Sequence, residues 1–415
     1  MTRQYLLDAS WERFGTMVLA GSPLVAFRTT DAGARVLDAL ERDEAVANSG
    51  LIDRLVAAGA IHPNPSAHAS STTSYSIADV TIVTPQFGGS TTTDDRITVD
   101  DGSVPPIAGA TVRLEQNLGP AAARNAARPL VDTALIAFVD ADVELLDDVG
   151  IGSWLDALLP HFDDPRVGLV APRVTGEANS PLDLGTSPAR IRAGTRVSYV
   201  PAAAIVVRVA AFDAVGGFDE GLRFGEDVDL VWRLDQADWR CRYEPTSTVW
   251  HAPRRTLSAR LQQHAGYGTA AAALALRHPD LLAPTRTSGW TAAMWGALVT
   301  GHPLIAAGLA VITAARLPSK LPGVAPARAF TLAITGHVRA GQQFAAAARR
   351  VWWPIVAVGA LFSLRVRWAG LAALAISPAT APTDAAYGWG VWSGAVRHRT
   401  AAPLLPGWTR YRRGS

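Results

Sequence analysis

Carboxylates in three short clusters are the residues of this 415-residue chain whose types and spacing could do chemistry: Asp100-Asp101, Asp140-Ala141-Asp142 and Glu226-Asp227. Asp140 and Asp142 follow the apolar run Leu135-Ile136-Ala137-Phe138-Val139. Two carboxylates at the end of a buried strand make a hard-oxygen site for Mg²⁺ or Mn²⁺, which can in turn hold a diphosphate. The same pair would also serve as a solvated Asp-rich turn. Glu226 and Asp227 open a stretch with helical spacing at Leu230, Val231 and Leu234, where acids suit the positive end of the helix dipole and one of them could take a proton as general base. Arg124 lies in an Ala-rich helix behind Gly119-Pro120. It is either a cationic fork beside free helix N–H groups, a pairing that suits phosphate, or an ordinary exposed Arg. His251, after Val249-Trp250, is either structural or a further metal ligand.

The elements that must position these groups can be read from pattern. The five-residue apolar run before Asp140 predicts a strand covered on both faces, as in parallel sheets. Further strands are expected at 79–85, 97–103, 111–114, 167–172 and 197–207. Helical patterning between them predicts a doubly wound α/β sheet with ligands at the strands' C-terminal ends. Residues 1–65 form a separate module, with a strand and turn at 16–21 and helices at 32–40 and 49–58. Ser49 stands at the N-cap of the second helix and Gly59 past its end, which suggests a winged-helix-like unit. The Ser/Thr/Ala-rich segment 66–78 is a linker, 79–280 the sheet domain, and 281–415 a tail.

Charge separates body from tail. From 281 onward fourteen basic residues face one acid, Asp384, a net +13, and the remaining residues carry −11. Residues 287–315 hold no Lys, Arg, Asp or Glu for twenty-nine positions, interrupted by His302-Pro303. That exceeds the roughly twenty residues a spanning helix needs. A second run, 351–364, stops at Arg365 and Arg367 and resumes at 368–378, neither half long enough alone. Trp290, Trp295, Trp352, Trp353 and Trp368 would suit an interfacial belt. A basic apolar tail on an acidic body predicts association with the cytoplasmic face of the cell membrane, and its Trp, Leu, Ile and Val argue against nucleic acid as the partner. The single cysteine, Cys241, excludes an internal disulfide, and residues 1–12 lack the apolar core of a secretory signal.

Taken in order, Asp100-Asp101, Asn117, Gly119, Arg124-Asn125, Asp140-Ala141-Asp142, Gly216-Gly217-Phe218-Asp219, Glu226-Asp227, Asp229-Leu230 and Trp232-Arg233 resemble the family 2 glycosyltransferases of the GT-A fold. The runs Gly119-Pro120-Ala121, Leu169-Val170-Ala171-Pro172-Arg173, Val197-Ser198-Tyr199-Val200-Pro201, Arg242-Tyr243-Glu244-Pro245 and Arg277-His278-Pro279-Asp280 resemble, more narrowly, mycofactocin biosynthesis glycosyltransferases over most of 16–310. That resemblance implies transfer of glucose from UDP-glucose, with inversion, onto a redox cofactor made from a ribosomal peptide, giving a β-linked oligoglucoside. It implies donor contacts from Pro85, Asp100, Asp101, Asn117, Gly119, Arg124, Asn125, Asp140, Ala141 and Asp142. It further implies Mg²⁺ or Mn²⁺ on Asp142, Asp140 and His251, with Asp227 as base and Glu226 beside it. Gly217, Trp232 and Arg233 would lie on the acceptor side. Gly21-Ser22-Pro23 and Gly59-Ala60-Ile61-His62-Pro63 resemble a peptide-recognition winged helix. One departure stands out: 86–96, Gly/Thr-rich and without apolar periodicity, and 103–110 are too short for the family's crossover helices. Two rival functions remain from sequence. An envelope lipid or polysaccharide transferase is weakened because 250–270 lack the Gln-x-x-Arg-Trp motif of processive synthases. A non-catalytic peptide-binding scaffold is opposed by the intact carboxylate pairs.

Overall fold

The computed structural model describes residues 2–65, 73–89, 95–145, 152–176, 180, 182–252 and 256–408. The first part of the expected linker, 66–72, and part of the first crossover, 90–94, lie outside them. The chain divides into two compact units, Met1–Pro253 and Arg254–Ser415.

The first unit begins with β1 (Thr2–Arg3), β2 (Tyr5–Leu7), β3 (Glu12–Phe14), β4 (Met17–Ala20), β5 (Val25–Arg28), α1 (Asp31–Glu41), β6 (Val46–Ala47), α2 (Gly50–Ala57) and β7 (Ile61–Pro63). Both helices start where a hydroxyl accepts a free N–H: Thr30 takes that of Gly33, and Ser49 that of Ile52. Gly59, at φ +67°, ends the second in a conformation glycine adopts without a Cβ clash. Leu37, Leu40, Ile52, Leu55 and Val56 close over Val18, Ala20 and Ile61 as one buried cluster. The three strands β3-β4-β5 run antiparallel, and β2 pairs with β7.

The main sheet contains β8 (Val80–Gln86), β9 (Ile97–Asp101), β10 (Val112–Leu114), β11 (Leu135–Val139), β12 (Val143–Leu145), β13 (Val167–Thr175), β14 (Ala189–Ile191), β15 (Ala204–Arg208) and β16 (Arg240–His251). Helices α3 (Pro120–Ala126), α4 (Gly152–Asp156), α5 (Val209–Ala214) and α6 (Glu226–Gln236) connect them. Strand order is β10-β9-β8-β11-β15-β13-β16-β12, with β14 on β16. All five residues of β11 are buried, as a central strand requires. Strands β8, β9, β10 and β11 are mutually parallel, yet β15 runs antiparallel to both β11 and β13, so the sheet is mixed rather than a parallel doubly wound one. The expected strand at 197–207 is shortened to its last residues. Pro201 has no N–H for a ladder, and the segment before β15 instead spends its carbonyls on the site described below. Among the described residues, no helix joins β8 to β9 or β9 to β10. Asp100 folds the second of these connections into a tight turn, accepting the amides of Ser103 and Ile107.

The second unit is helical: α7 (Leu257–Arg277), α8 (Gly289–Val299), α9 (Pro303–Arg316), α10 (Pro326–Arg350), α11 (Trp353–Phe362), α12 (Leu364–Ile376) and α13 (Ala381–Arg397), with the short strand pair Arg286–Thr287 and Gly407–Trp408. The long uncharged run breaks at His302-Pro303 into α8 and α9. Among the described residues, no single helix is long and apolar enough to cross a membrane. The pair α10 and α11 passes that test only jointly, across a 90° bend.

Candidate active site

Asp140 leaves the end of β11 with its amide donating to Ala203 O (2.8 Å) and its carbonyl accepting from Val143 N (3.1 Å). The chain thus turns through 140–142 and restarts as β12. Asp140 and Asp142 consequently meet different partners. Asp142 Oδ1 lies 3.4 Å from His251 Nε2, an approach fixed by the register that sets Val143 opposite His251. Ala141 is exposed between them.

On the other side Asp140 meets Arg124. This guanidinium is buried, and its Nη2 donates to Asp140 Oδ1 (2.7 Å) while Nη1 donates to Glu226 Oε1 (3.1 Å). Its plane lies over the Phe218 ring, 5.2 Å from the centroid, and Nη2 also approaches Ala202 O at 3.5 Å. Burial works against the Arg124 charge, but Asp140 and Glu226 more than offset it and hold the guanidinium protonated. Both terminal nitrogens are taken by carboxylates, so the fork expected to face a phosphate instead ties the end of β11 to the start of α6.

Helix α6 begins after Gly225, which sits at φ +78°. That turn places Glu226 and Asp227 in the first turn, one on Arg124 and the other with Oδ1 accepting from Val228 N (2.7 Å). Burial and the neighbouring Glu226 carboxylate push the Asp227 carboxyl up to about 7, while the Val228 amide and Arg124 pull the other way. A carboxylate with that value is suited to accept a proton near neutrality.

The other expected site residues frame this core. Asp101 accepts the amides of Leu118 (2.8 Å) and Gly119 (2.9 Å), and so fixes the loop that launches α3. Asp100 is fully buried and bound also by Arg113 Nη1 at 2.5 Å, which leaves it occupied as a turn clamp. Asn117 Oδ1 accepts from Arg223 (2.9 Å). Asn125 pins Phe218 through both backbone groups, at 3.0 and 2.9 Å. Gly217 lies against it at φ +72°, where a Cβ would stand 2.8 Å from Asn125 Oδ1. Pro85 stands in β8 opposite Val99 of β9. Trp232 donates its indole N–H to Ser198 O (2.9 Å), and Arg233 binds Asp229 (2.6 Å) and Val215 O (2.5 Å), so both are engaged within the fold. The carbonyls of Ser198, Ala202 and Ala203 are the contributors that sequence reasoning missed. Pro201 inside an apolar run was the available signal that this stretch is not ladder.

Asp142 and His251 could supply a divalent cation with one carboxylate and one imidazole, a donor set compatible with Mn²⁺, and would leave its other positions to diphosphate oxygens and water. Among the described residues, no group of three or more His, Cys, Asp or Glu converges on a cation. The protein's share of such a site is therefore small, and Asp140 is held by Arg124 instead.

No protein-family model matches the chain. It is 35% identical over 456 residues to the pre-mycofactocin glycosyltransferase of Mycobacterium tuberculosis (strain ATCC 25618 / H37Rv), with 94% of each chain covered. The succinoglycan biosynthesis protein ExoA of Rhizobium meliloti (strain 1021) is 36% identical over 73 residues, 18% of this chain and 22% of that one. Among solved structures, the mannosyltransferase PcManGT from Pyrobaculum calidifontis in complex with GDP-Man and Mn²⁺ superposes with a TM-score of 0.40 at 16% identity, over 79% of this chain and 93% of that one.

Proposed function

The chain belongs to the pre-mycofactocin glycosyltransferase family, and from that premise we propose that it moves glucose from UDP-glucose onto the peptide-derived pre-mycofactocin. The observation that carries the reading is the convergence, through Arg124, of the β11 end and the start of α6. Arg124 thus ties the turn carrying Asp142, read as the donor side, to the helix start carrying Asp227, read as the base. The GT-A assignment rests on the same arrangement: a strand ending in Asp-Ala-Asp, followed by an acid pair opening a later helix.

The acceptor hydroxyl oxygen attacks the anomeric carbon as the bond from that carbon to the diphosphate oxygen breaks. The departing UDP keeps the electron pair, and the hydroxyl proton passes to Asp227. One displacement inverts the centre, so an α-linked donor gives a β-glucoside. Glu226, fixed by Arg124, stands beside Asp227 and, with burial, raises that carboxyl so that it can accept the proton. A divalent cation bound at Asp142 and His251 would supply positive charge against the leaving diphosphate. Asp101 acts one step back, by taking the Leu118 and Gly119 amides and so fixing the loop that launches α3. The N-terminal module is the part assigned to the peptide. Its strand β5 has only β4 beside it among the described residues, and Leu24 and Val25 are exposed there, an edge open to an added strand.

Titration calorimetry of the purified chain with UDP, with and without Mn²⁺, tests the donor half. Metal-dependent binding that is lost in Asp142→Ala is expected; no UDP binding in the presence of Mn²⁺ would overturn the reading.

A further inference from the structure

We propose that the helical hairpin α11–α12 of the second unit docks onto an anionic lipid bilayer, lying within the headgroup region rather than spanning it. The hairpin tip is formed by Leu361, Phe362 and Leu364, which are 74%, 85% and 62% exposed, with Trp368 a turn further on at 64%. Helix α11 contains no buried residue at all, although nearly every side chain in it is apolar. Scattered exposed leucines are ordinary on a protein surface, but a continuous apolar tip of this kind marks an interaction site.

Charge selects the occupant. The chain from 281 onward carries fourteen basic residues against Asp384, and that one acid is buried between Arg349 (3.2 Å) and Arg350 (3.5 Å). Among the described residues from 281 onward there is no exposed Asp or Glu, and Arg365 and Arg367 flank the apolar tip, the combination that fits acidic headgroups over an acyl layer. Arg367 caps the end of α11 through Ala360 O (3.1 Å), and Arg365 binds Thr300 O, so two of these cations are fixed at the base of the tip. Trp368 has the amphipathic ring that favours the same depth.

Length selects the mode. Ten and thirteen residues make helices of about 15 and 20 Å, short of the roughly 30 Å hydrocarbon layer. Among the described residues, the one pair of helices long and apolar enough together is bent by 90°. A hairpin that reverses at Ser363, with its apolar face open, suits shallow insertion.

Vesicle flotation of the full-length chain tests this. Wild type is expected to float with phosphatidylcholine vesicles containing phosphatidylglycerol, to float far less with phosphatidylcholine alone, and to be released by salt. The double variant Leu361→Asp/Phe362→Asp should bind the anionic vesicles about tenfold more weakly, since it removes buried apolar area without touching a packed side chain. Its helical circular dichroism and its UDP binding should match wild type, which separates lost docking from lost folding. The proposal is overturned if wild type stays in the aqueous fraction, if both vesicle types bind it equally, or if the double variant floats as well as wild type. It is equally overturned if sedimentation shows a dimer that the double variant dissolves, because a second copy would then cover the tip.

Discussion

Asp227 owes its proposed role to its burial and to the adjacent Glu226, and both leave measurable signatures. With the carboxyl raised to about 7, kcat/KM should fall as pH drops below that value, because the protonated acid cannot accept the acceptor's proton. Glu226→Gln leaves the burial but removes the neighbouring charge that adds to it, so the acidic limb of the profile should move to lower pH in that variant. Stability carries the opposite sign. A carboxyl whose pKa is raised in the folded chain holds its proton more tightly folded than unfolded. The cost of ionising it therefore builds between the ordinary value of 3.8 and about 7, and is complete above that. Asp227→Asn should accordingly melt at a higher temperature than wild type above pH 7, with the gain shrinking as pH falls, while UDP binding survives and transfer is lost. At this scale much was legible: Asp140, Asp142, Glu226 and Asp227 stand where strand end and helix start were expected. The destination of Arg124 was not, because a cation's choice between phosphate and carboxylate depends on what a distant segment brings to it.

Between elements, Arg124 is a single point where α3, β11 and α6 meet. Removing it strands two carboxylates without their cation, and breaking a pair of this kind costs about 3 kcal/mol. Arg124→Gln should show that loss in urea unfolding together with a drop in kcat. Arg124→Lys should recover only part of both, since one ammonium cannot bridge Asp140 and Glu226 as a fork does. Gly217→Ala tests the neighbouring joint. A left-handed backbone and a Cβ set against Asn125 predict a destabilisation of about 1–2 kcal/mol, read from the same unfolding curves. The strands around the site were readable from apolar runs ending in acids. The reversal of β15 was not, because an apolar strand carries no mark of direction, and the stretch before it was mistaken for ladder despite Pro201. Among the described residues neither short crossover forms a helix, and Asp100 and Asp101 brace the loops that follow β9 and precede α3.

Across the first unit, the N-terminal strands and helices are fastened to the sheet by ion pairs at several points. Asp53 meets Arg166 (2.8 Å) and Arg240 (3.4 Å), Arg196 meets Asp8 (3.1 Å), and Arg190 reaches both Ala57 O and Asp235 (2.8 Å). Most of these pairs link positions more than a hundred residues apart, which no local pattern in the sequence announces. Arg190→Ala should speed amide exchange at the end of α2 before it affects the sheet. Family membership makes the chain a glycosyltransferase; the central claim beyond it is that glucose is the sugar moved and that Asp227 takes the proton. Mass spectrometry of purified pre-mycofactocin incubated with UDP-glucose, Mn²⁺ and the protein tests that claim most directly. Hexose additions with the wild-type chain and none with Asp227→Asn are predicted. No addition by wild type, or equal addition by both, would contradict it.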